Sequence, residues 1–467
     1  MQQVTGQSVE LVWADEGYTG GLSSHASPPI ALTDPRAPSS TRMQEYRTIH
    51  EQLMSTTFPQ VLSPSRKTVS SHWRRDRPSK LSHINIFLIG WVYYLGLPMA
   101  AGYLNLFALV DQAAPFADRF DVRTDRWYAL AIYVFLLPAC YIGGNWVACK
   151  FKSGPFRTGI RPRFSSQILL PIYALLLATF AFQARTLLFG GYVEGYDASL
   201  MGPLATIEMV LLYQYIACSA AGLRRYSFAF GFLLFLASVV LLSMGGRIYV
   251  ASALSAVMFY RWKWVARTRQ DRYRMVKWIL LAPLAFAAIG MIRLGTFDLT
   301  GLGFFLLAEP LFTAISGISF VLDDKWHWFA FPNEFISSFV NIVPSSIWPN
   351  KVDQILQLSD IYPEYQSPFG AQSIVVSTIG NFGYVGGLMF VGVVGAFIGR
   401  VALKATTPHS CALYCFLVSM LLFIFFRDPY QIQVKLVFTG LVLNLLQRVI
   451  DSYPRKSANP PTISVTD

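Results

Sequence analysis

From residue 84 to residue 449 the chain alternates between apolar runs of about 17–25 residues and polar connections, and a run of that length is what a helix needs to cross a bilayer. Hydrocarbon offers no water to the backbone, so such runs can cross only as helices that satisfy their own N–H and C=O groups. Composition agrees: 54% of the 467 residues are apolar, 14% are charged, and the mean hydropathy is +0.42. A soluble domain of this size has no use for so much apolar surface. The expected fold is an all-α polytopic membrane protein of about ten transmembrane helices, with a large outer loop that contains short helices.

The connections set the orientation. Expected spans fall at about 84–106, 127–148, 167–188, 202–222, 227–245, 248–262, 278–292, 374–398, 410–426 and 431–449. Basic loops follow every second span: Lys150, Lys152, Arg157, Arg161 and Arg163; Arg224 and Arg225; and, richest of all, Arg261 through Lys277. Positive residues stay on the cytoplasmic side, so both termini are expected inside. The formal net charge of +12 is therefore a topology signal and not a nucleic-acid footprint.

The expected organisation is a polar cytoplasmic tail (1–82), seven spans (83–293), an outer loop (294–373), three more spans (374–450) and a short cytoplasmic tail (451–467). The first 80 or so residues are polar and Pro-, Ser- and Arg-rich, so no cleavable signal peptide is expected and the first span serves as the insertion signal. Residues 9–20 resemble a strand segment of insertion-sequence transposases, too short to build a nuclease, so 1–20 reads as a remnant. Met43 and Met54 are alternative starts. Cys140, Cys149, Cys218, Cys411 and Cys415 all sit in or beside apolar runs, the pattern of packing residues. No metal and no cofactor is expected, since Asp323-Asp324 alone more often caps a turn.

The loop 294–373 holds eight acids (Asp298, Glu309, Asp323, Asp324, Glu334, Asp353, Asp360, Glu364) against Lys325 and Lys351, so 8 − 2 gives a net −6. Its aromatic content argues for order, and a connection this long is commonly functional. The apolar run 301–322 within it would invert every later loop if it crossed, so a re-entrant or interface-lying helix is expected, with Glu309 on its polar side.

Six ionisable residues are expected at outer ends of spans: Arg185, Glu208, Arg247, Arg293, Arg427 and Lys435. Anchoring at the interface accounts for many charges of this kind. Cations are disfavoured on this face, however, and the guanidinium fork suits phosphate. Arg247, Arg293 and Arg427 therefore read as binders of a lipid diphosphate. His327 is the only histidine in an outer loop, and a neutral imidazole can take a proton from a sugar hydroxyl; Glu309, Glu334, Asp353, Asp360 and Glu364 are rival bases that the sequence does not rank. Tyr192, Trp326, Trp328 and Tyr365 offer faces on which sugar rings stack, although packing of the loop on itself explains such residues as well. The glycine-dense stretch 370–387 marks either close helix packing or a break.

Three features together resemble the bacterial O-antigen polymerases, the oligosaccharide repeat-unit polymerases: the Gly245-Gly246-Arg247 turn before a short span, the large late outer loop, and the run Asn381-Phe382-Gly383-Tyr384-Val385-Gly386. The Arg427-Asp428 turn is similar to one near the end of such proteins, and the resemblance covers about 165–450. Gly246 stands where the family commonly has Ser. The resemblance implies a metal-independent inner-membrane glycosyltransferase facing the periplasm. Such an enzyme moves a growing glycan from undecaprenyl diphosphate onto a fresh lipid-linked repeat unit. Expected partners are undecaprenyl-diphosphate-linked oligosaccharides, membrane lipid and a chain-length regulator protein. An O-antigen ligase shares the outer arginines, and a lipid-linked-sugar flippase is the alternative of a different class.

Overall fold

The computed structural model describes residues 81–109, 125–150, 162–186, 198–266, 268–294, 299–322, 327–343, 347–362, 365, 372–425 and 429–457. Among these there is no strand. The helices are α1 (His83–Tyr103, with a π turn at Val92–Gly96), α2 (Asp125–Lys150), α3 (Arg163–Gln183), α4 (Ala198–Ala220) and α5 (Arg224–Ser243). Then come α6 (Arg247–Tyr260, followed by a π turn at Arg261–Val265), α7 (Arg269–Leu294), α8 (Leu299–Leu322), and the short α9 (Asn333–Ser337) and α10 (Leu358–Ile361). The chain closes with α11 (Ile374–Leu403), α12 (Pro408–Phe425) and α13 (Pro429–Ser457).

Among the described residues, eight helices are long and apolar enough to cross a membrane: α1 to α5 and α11 to α13. Of the other two expected spans, α6 has 14 residues, about 21 Å, short of the roughly 30 Å of hydrocarbon. In α7 the side chains near the C-terminal end lie outside the described set. The bundle is apolar on its outside as well as inside. Phe135, Leu175, Phe182, Phe228, Phe235, Leu280, Val393 and Leu445 are all more than 60% exposed, a surface that water would not tolerate and lipid does. At its centre stand α4 and α12, the two most enclosed spans.

The most extensive seam joins α2 to α11 and depends on small residues. A Cβ on Gly144 would collide with the backbone of Gly392, one on Gly395 with the backbone of Tyr141, and one on Gly399 would lie 2.5 Å from Asn145 Oδ1. Of the cysteines, Cys218, Cys411 and Cys415 are buried as expected of packing residues, while Cys149 is exposed at the end of α2.

The basic end is tied by one buried carboxylate. Asp451 of α13 accepts from Ser165 N (2.9 Å) and Ser165 Oγ (2.7 Å) at the start of α3. Its Oδ2 lies 3.3 Å from His409 Nε2 at the start of α12, and Tyr213 of α4 donates to the His409 carbonyl. One acid thus fixes the ends of α3, α12 and α13. Replacing Asp451 with Ala leaves the buried Ser165 N–H and hydroxyl without their acceptor, and we expect about 1–3 kcal/mol of destabilisation, read as a lower unfolding midpoint of the detergent-solubilised protein.

The run 301–322 forms one helix, α8, that is covered by the bundle over Pro310–Val321; the Glu309 side chain lies outside the described residues. Leu311, Thr313, Ile315, Ser316, Ile318 and Phe320 are buried, packed in a helix that lies against α7, α2, α11 and the second half of α1. The hydroxyl of Tyr93, midway along α1, donates to the Leu306 carbonyl. Contrary to expectation, Glu208 is not at the mouth of a span. It lies ten residues into α4, is fully buried, and accepts from Ser238 Oγ of α5 at 2.6 Å.

Candidate functional site

The glycine-dense stretch provides both of the features it pointed to, packing along α2 and a break. Ser373 caps α11, its hydroxyl accepting from Val376 N at 3.3 Å. Ten residues on, Gly383 adopts φ +75°, ψ −179° and interrupts the helix. A break strands the backbone groups on either side of it, which must find partners elsewhere. Residues 327–330 supply them. Tyr384 N donates to the His327 carbonyl (2.9 Å), Val385 N to the Trp328 carbonyl (3.0 Å), and Ala330 N donates back to the Phe382 carbonyl (3.0 Å). The Gly380 carbonyl, which Tyr384 N would hold in an unbroken helix, accepts from the Tyr362 hydroxyl at 3.1 Å. Irregular backbone within an apolar helix survives only where protein or a cavity surrounds it, and here the loop is that surround.

This docking carries a carboxylate into the interior. Glu334 of α9 is 1% exposed. Asn381 Nδ2 donates to its Oε2 at 2.7 Å, and Gln372 Nε2 lies 3.3 Å from each oxygen. Asn381 also gives Nδ2 to the Ser377 carbonyl (2.9 Å) and takes Phe335 N on Oδ1 (3.0 Å), so its amide cannot be turned over. Gln372 Nε2 reaches Ser377 Oγ at 3.0 Å. The carboxylate is thus held by two side-chain amides, one just before α11 and one two turns into it.

Next to it the aromatic rings of Phe335, Phe382, Phe390 and Tyr430 pack together; Phe335 and Tyr430 are 5.2 Å apart, Phe382 and Phe390 4.4 Å. Behind them lies an apolar cavity of about 260 Å³ between α11, α12 and α13, with Ser377, Thr378, Tyr430 and Gln433 at its polar end. Along α13 it extends from Tyr430 to Leu441, about 16 Å at the helical rise.

Arg247 opens α6. Gly245 N donates to the Leu242 carbonyl and Gly246 N to the Leu241 carbonyl, with Gly245 at φ +92°, the paired bonds of a Schellman cap that reverses the chain in two residues. Arg247 is half-buried. Helices α6 and α12 run antiparallel, with Ser252 Oγ on the Ser419 carbonyl (2.8 Å) and Tyr249 against Phe423 (5.5 Å). This register brings Arg247 level with Phe425, two residues before Arg427 and five before Tyr430. Tyr94 stacks on Phe425 at 6.2 Å, so α1 rises about 13 Å beyond that level to Tyr103.

The remaining expected residues divide as follows. His327 has an exposed side chain, while its carbonyl holds the break. Trp328 is 75% exposed and free to stack. Tyr365 does not present a face to sugar: it is buried, hydrogen-bonded to Ser316 and set edge-on against Phe320. The side chains of Arg293 on α7 and Glu309 on α8 lie outside the described residues, as do Arg427, Tyr192 and Trp326 altogether. Gln372, Ser377 and Tyr430 were not singled out in the sequence as site residues. Gln372, Ser377 and Asn381 did carry a signal, because amides and hydroxyls inside an apolar run require a buried partner. Among the described residues no cluster of three metal-ligating side chains occurs.

Fold and site together define a multi-pass helical membrane protein with a loop inserted at a helix break. No known protein family, curated protein or solved structure matches the chain.

Proposed function

We propose that this protein is an integral-membrane glycosyltransferase that polymerises undecaprenyl-diphosphate-linked oligosaccharide repeat units into O-antigen or a related surface polysaccharide, on the periplasmic face of the inner membrane. The observation that carries this reading is the placement of Glu334. The run Asn381 to Gly386, on which the family resemblance rests, is where the outer loop docks, and that docking sets a buried carboxylate beside an apolar cavity. A lipid-linked sugar asks for that combination of a slot for hydrocarbon and polar chemistry at one end of it.

In the proposed reaction a hydroxyl of the incoming repeat unit attacks the anomeric carbon of the growing chain. The bond from that carbon to the diphosphate oxygen breaks, and the hydroxyl proton passes to a base, for which the Glu334 carboxylate is the leading candidate and the His327 imidazole the rival. The diphosphate leaves with its charge stabilised by Arg247, with Arg293 and Arg427 as further candidates. Trp328 offers an exposed face for a sugar ring.

The test replaces the chromosomal gene with an Arg247→Ala copy at matched membrane levels and profiles surface polysaccharide on a gel. We expect the ladder to collapse to core plus one repeat unit, with a loss of polymer of roughly 10²-fold or more, the scale of removing one transition-state charge partner. Loss of even the single unit would favour a ligase or a flippase. An unaltered ladder would overturn the assignment of Arg247.

A further inference from the structure

Lys435 sits in the second turn of α13 and is partly buried; its carbonyl accepts from Thr439 Oγ1 (2.8 Å), and its amine has no hydrogen bond or ion pair to any described residue. An intramembrane cation is costly, and a cation near a helix N-terminus opposes the dipole as well. A second cation lies close by. Lys351, 5% exposed, gives its amine to the Asn341 carbonyl (3.3 Å), Asn341 Oδ1 (3.2 Å) and the Val343 carbonyl (2.6 Å). Burial, and then the like charge of Lys435, holds the Lys351 amine below its ordinary range. Asn341 Nδ2 in turn donates to the Gln431 carbonyl at 3.1 Å, one turn before Lys435 on the same face of α13. The loop is therefore tied to α13 one turn before Lys435, which brings a second amine to the same end of that helix. No acid among the described residues pairs with either lysine.

We propose that Lys435, with Lys351 behind it, forms a binding site for a phosphoryl anion, the phosphate or diphosphate of a lipid headgroup or of a soluble ligand. Unpaired positive charge of this kind destabilises the empty protein and is relieved when an anion enters. Lys435 supplies the direct contact. Lys351, its three donors already placed on carbonyl oxygens, contributes field and holds the loop. The inference deepens the glycosyltransferase reading by naming a further residue for the diphosphate. Its test follows anion binding and not polymer, so either can fail without the other.

The experiment uses the full chain in nanodiscs of neutral phosphatidylcholine, with inorganic pyrophosphate as the soluble probe and discs doped with phosphatidylglycerol as the lipid probe. Thermal unfolding and titration calorimetry are the readouts. We expect Lys435→Met to raise the unfolding midpoint of the anion-free protein, to weaken pyrophosphate binding by roughly ten-fold, and to remove the stabilisation the anion confers on the wild type. Lys435→Arg should retain binding. Stabilisation by doped discs alone, lost in Lys435→Met, would assign the site to a lipid headgroup. Stabilisation by pyrophosphate alone would assign it to a diphosphate delivered from outside the bilayer. Equal binding by wild type and Lys435→Met, or a lower anion-free midpoint for the variant, would overturn the proposal.

Discussion

Replacing Gly383 with Ala is expected to release the loop from the bundle. At φ +75°, ψ −179° the backbone occupies a region that is essentially reserved for glycine, and a Cβ there costs about 1–3 kcal/mol in strain alone. The new methyl would also meet His327 O at 2.6 Å and Phe329 N and Cα at 2.7 Å. All three are backbone atoms, which cannot rotate away, so the strand-like pairing of 327–330 with 382–385 must open. That forfeits three backbone bonds and exposes their partners inside the bundle, at about 1–3 kcal/mol for each group left unsatisfied. The summed effect is at least ~3 kcal/mol. It should appear as rapid proteolysis within 323–373 under conditions that leave the wild type intact. Gly386→Ala is the internal control: its Cβ would meet Phe382 Cβ at 3.2 Å and Phe329 Cδ1 at 3.5 Å, contacts a side chain can ease. Equal protease resistance in Gly383→Ala and wild type would show that the break does not depend on this glycine.

The contrast between these two glycines also marks how far the sequence could be read. Apolar run length located α1 to α5 and α11 to α13, because a bilayer imposes a length that any single sequence reveals. The turn before Arg247 was legible too, since paired glycines ending an apolar run announce a C-cap. The stretch 370–387 announced packing or a break but could not say which glycine did which. That depends on what lies opposite: Tyr133 of α2 for Gly387, and the backbone of 327–329 for Gly383. Pairings between residues so far apart along the chain leave no periodicity to detect. For the same reason five loop acids looked equivalent in the sequence. Only the amides of Gln372 and Asn381 distinguish Glu334, and they do so through contacts 38 and 47 residues away along the chain. Tyr365 was misjudged in the opposite sense. An aromatic in a loop looks available to ligand until the element that covers it is placed.

Glu334→Gln is expected to abolish polymer while leaving most of the fold. The substitution keeps shape and removes charge. Asn381 cannot invert to suit it, because its Oδ1 holds Phe335 N and its Nδ2 the Ser377 carbonyl. The new amide must therefore turn its oxygen to Asn381 and its NH₂ toward Gln372 Nε2, setting donor against donor. Gln372 can relieve this by rotating, at the expense of its bond to Ser377 Oγ. The stability cost is then about 1–3 kcal/mol. A base that accepts the acceptor hydroxyl's proton contributes 10²–10⁴-fold to rate, so loss of polymer should far exceed loss of folded protein. Glu334→Asp separates the two roles. It keeps a proton acceptor but withdraws it by one methylene from Asn381, and should retain a short ladder. His327→Ala should leave the ladder close to wild type, because the contact His327 makes to the break is through its carbonyl and not its ring. If Glu334→Gln instead supports a full ladder at equal membrane levels, the carboxylate is an anchor for the loop and the base must be sought at His327. If both variants retain polymer, no proton acceptor lies at the break, and the reaction proposed for this site is wrong.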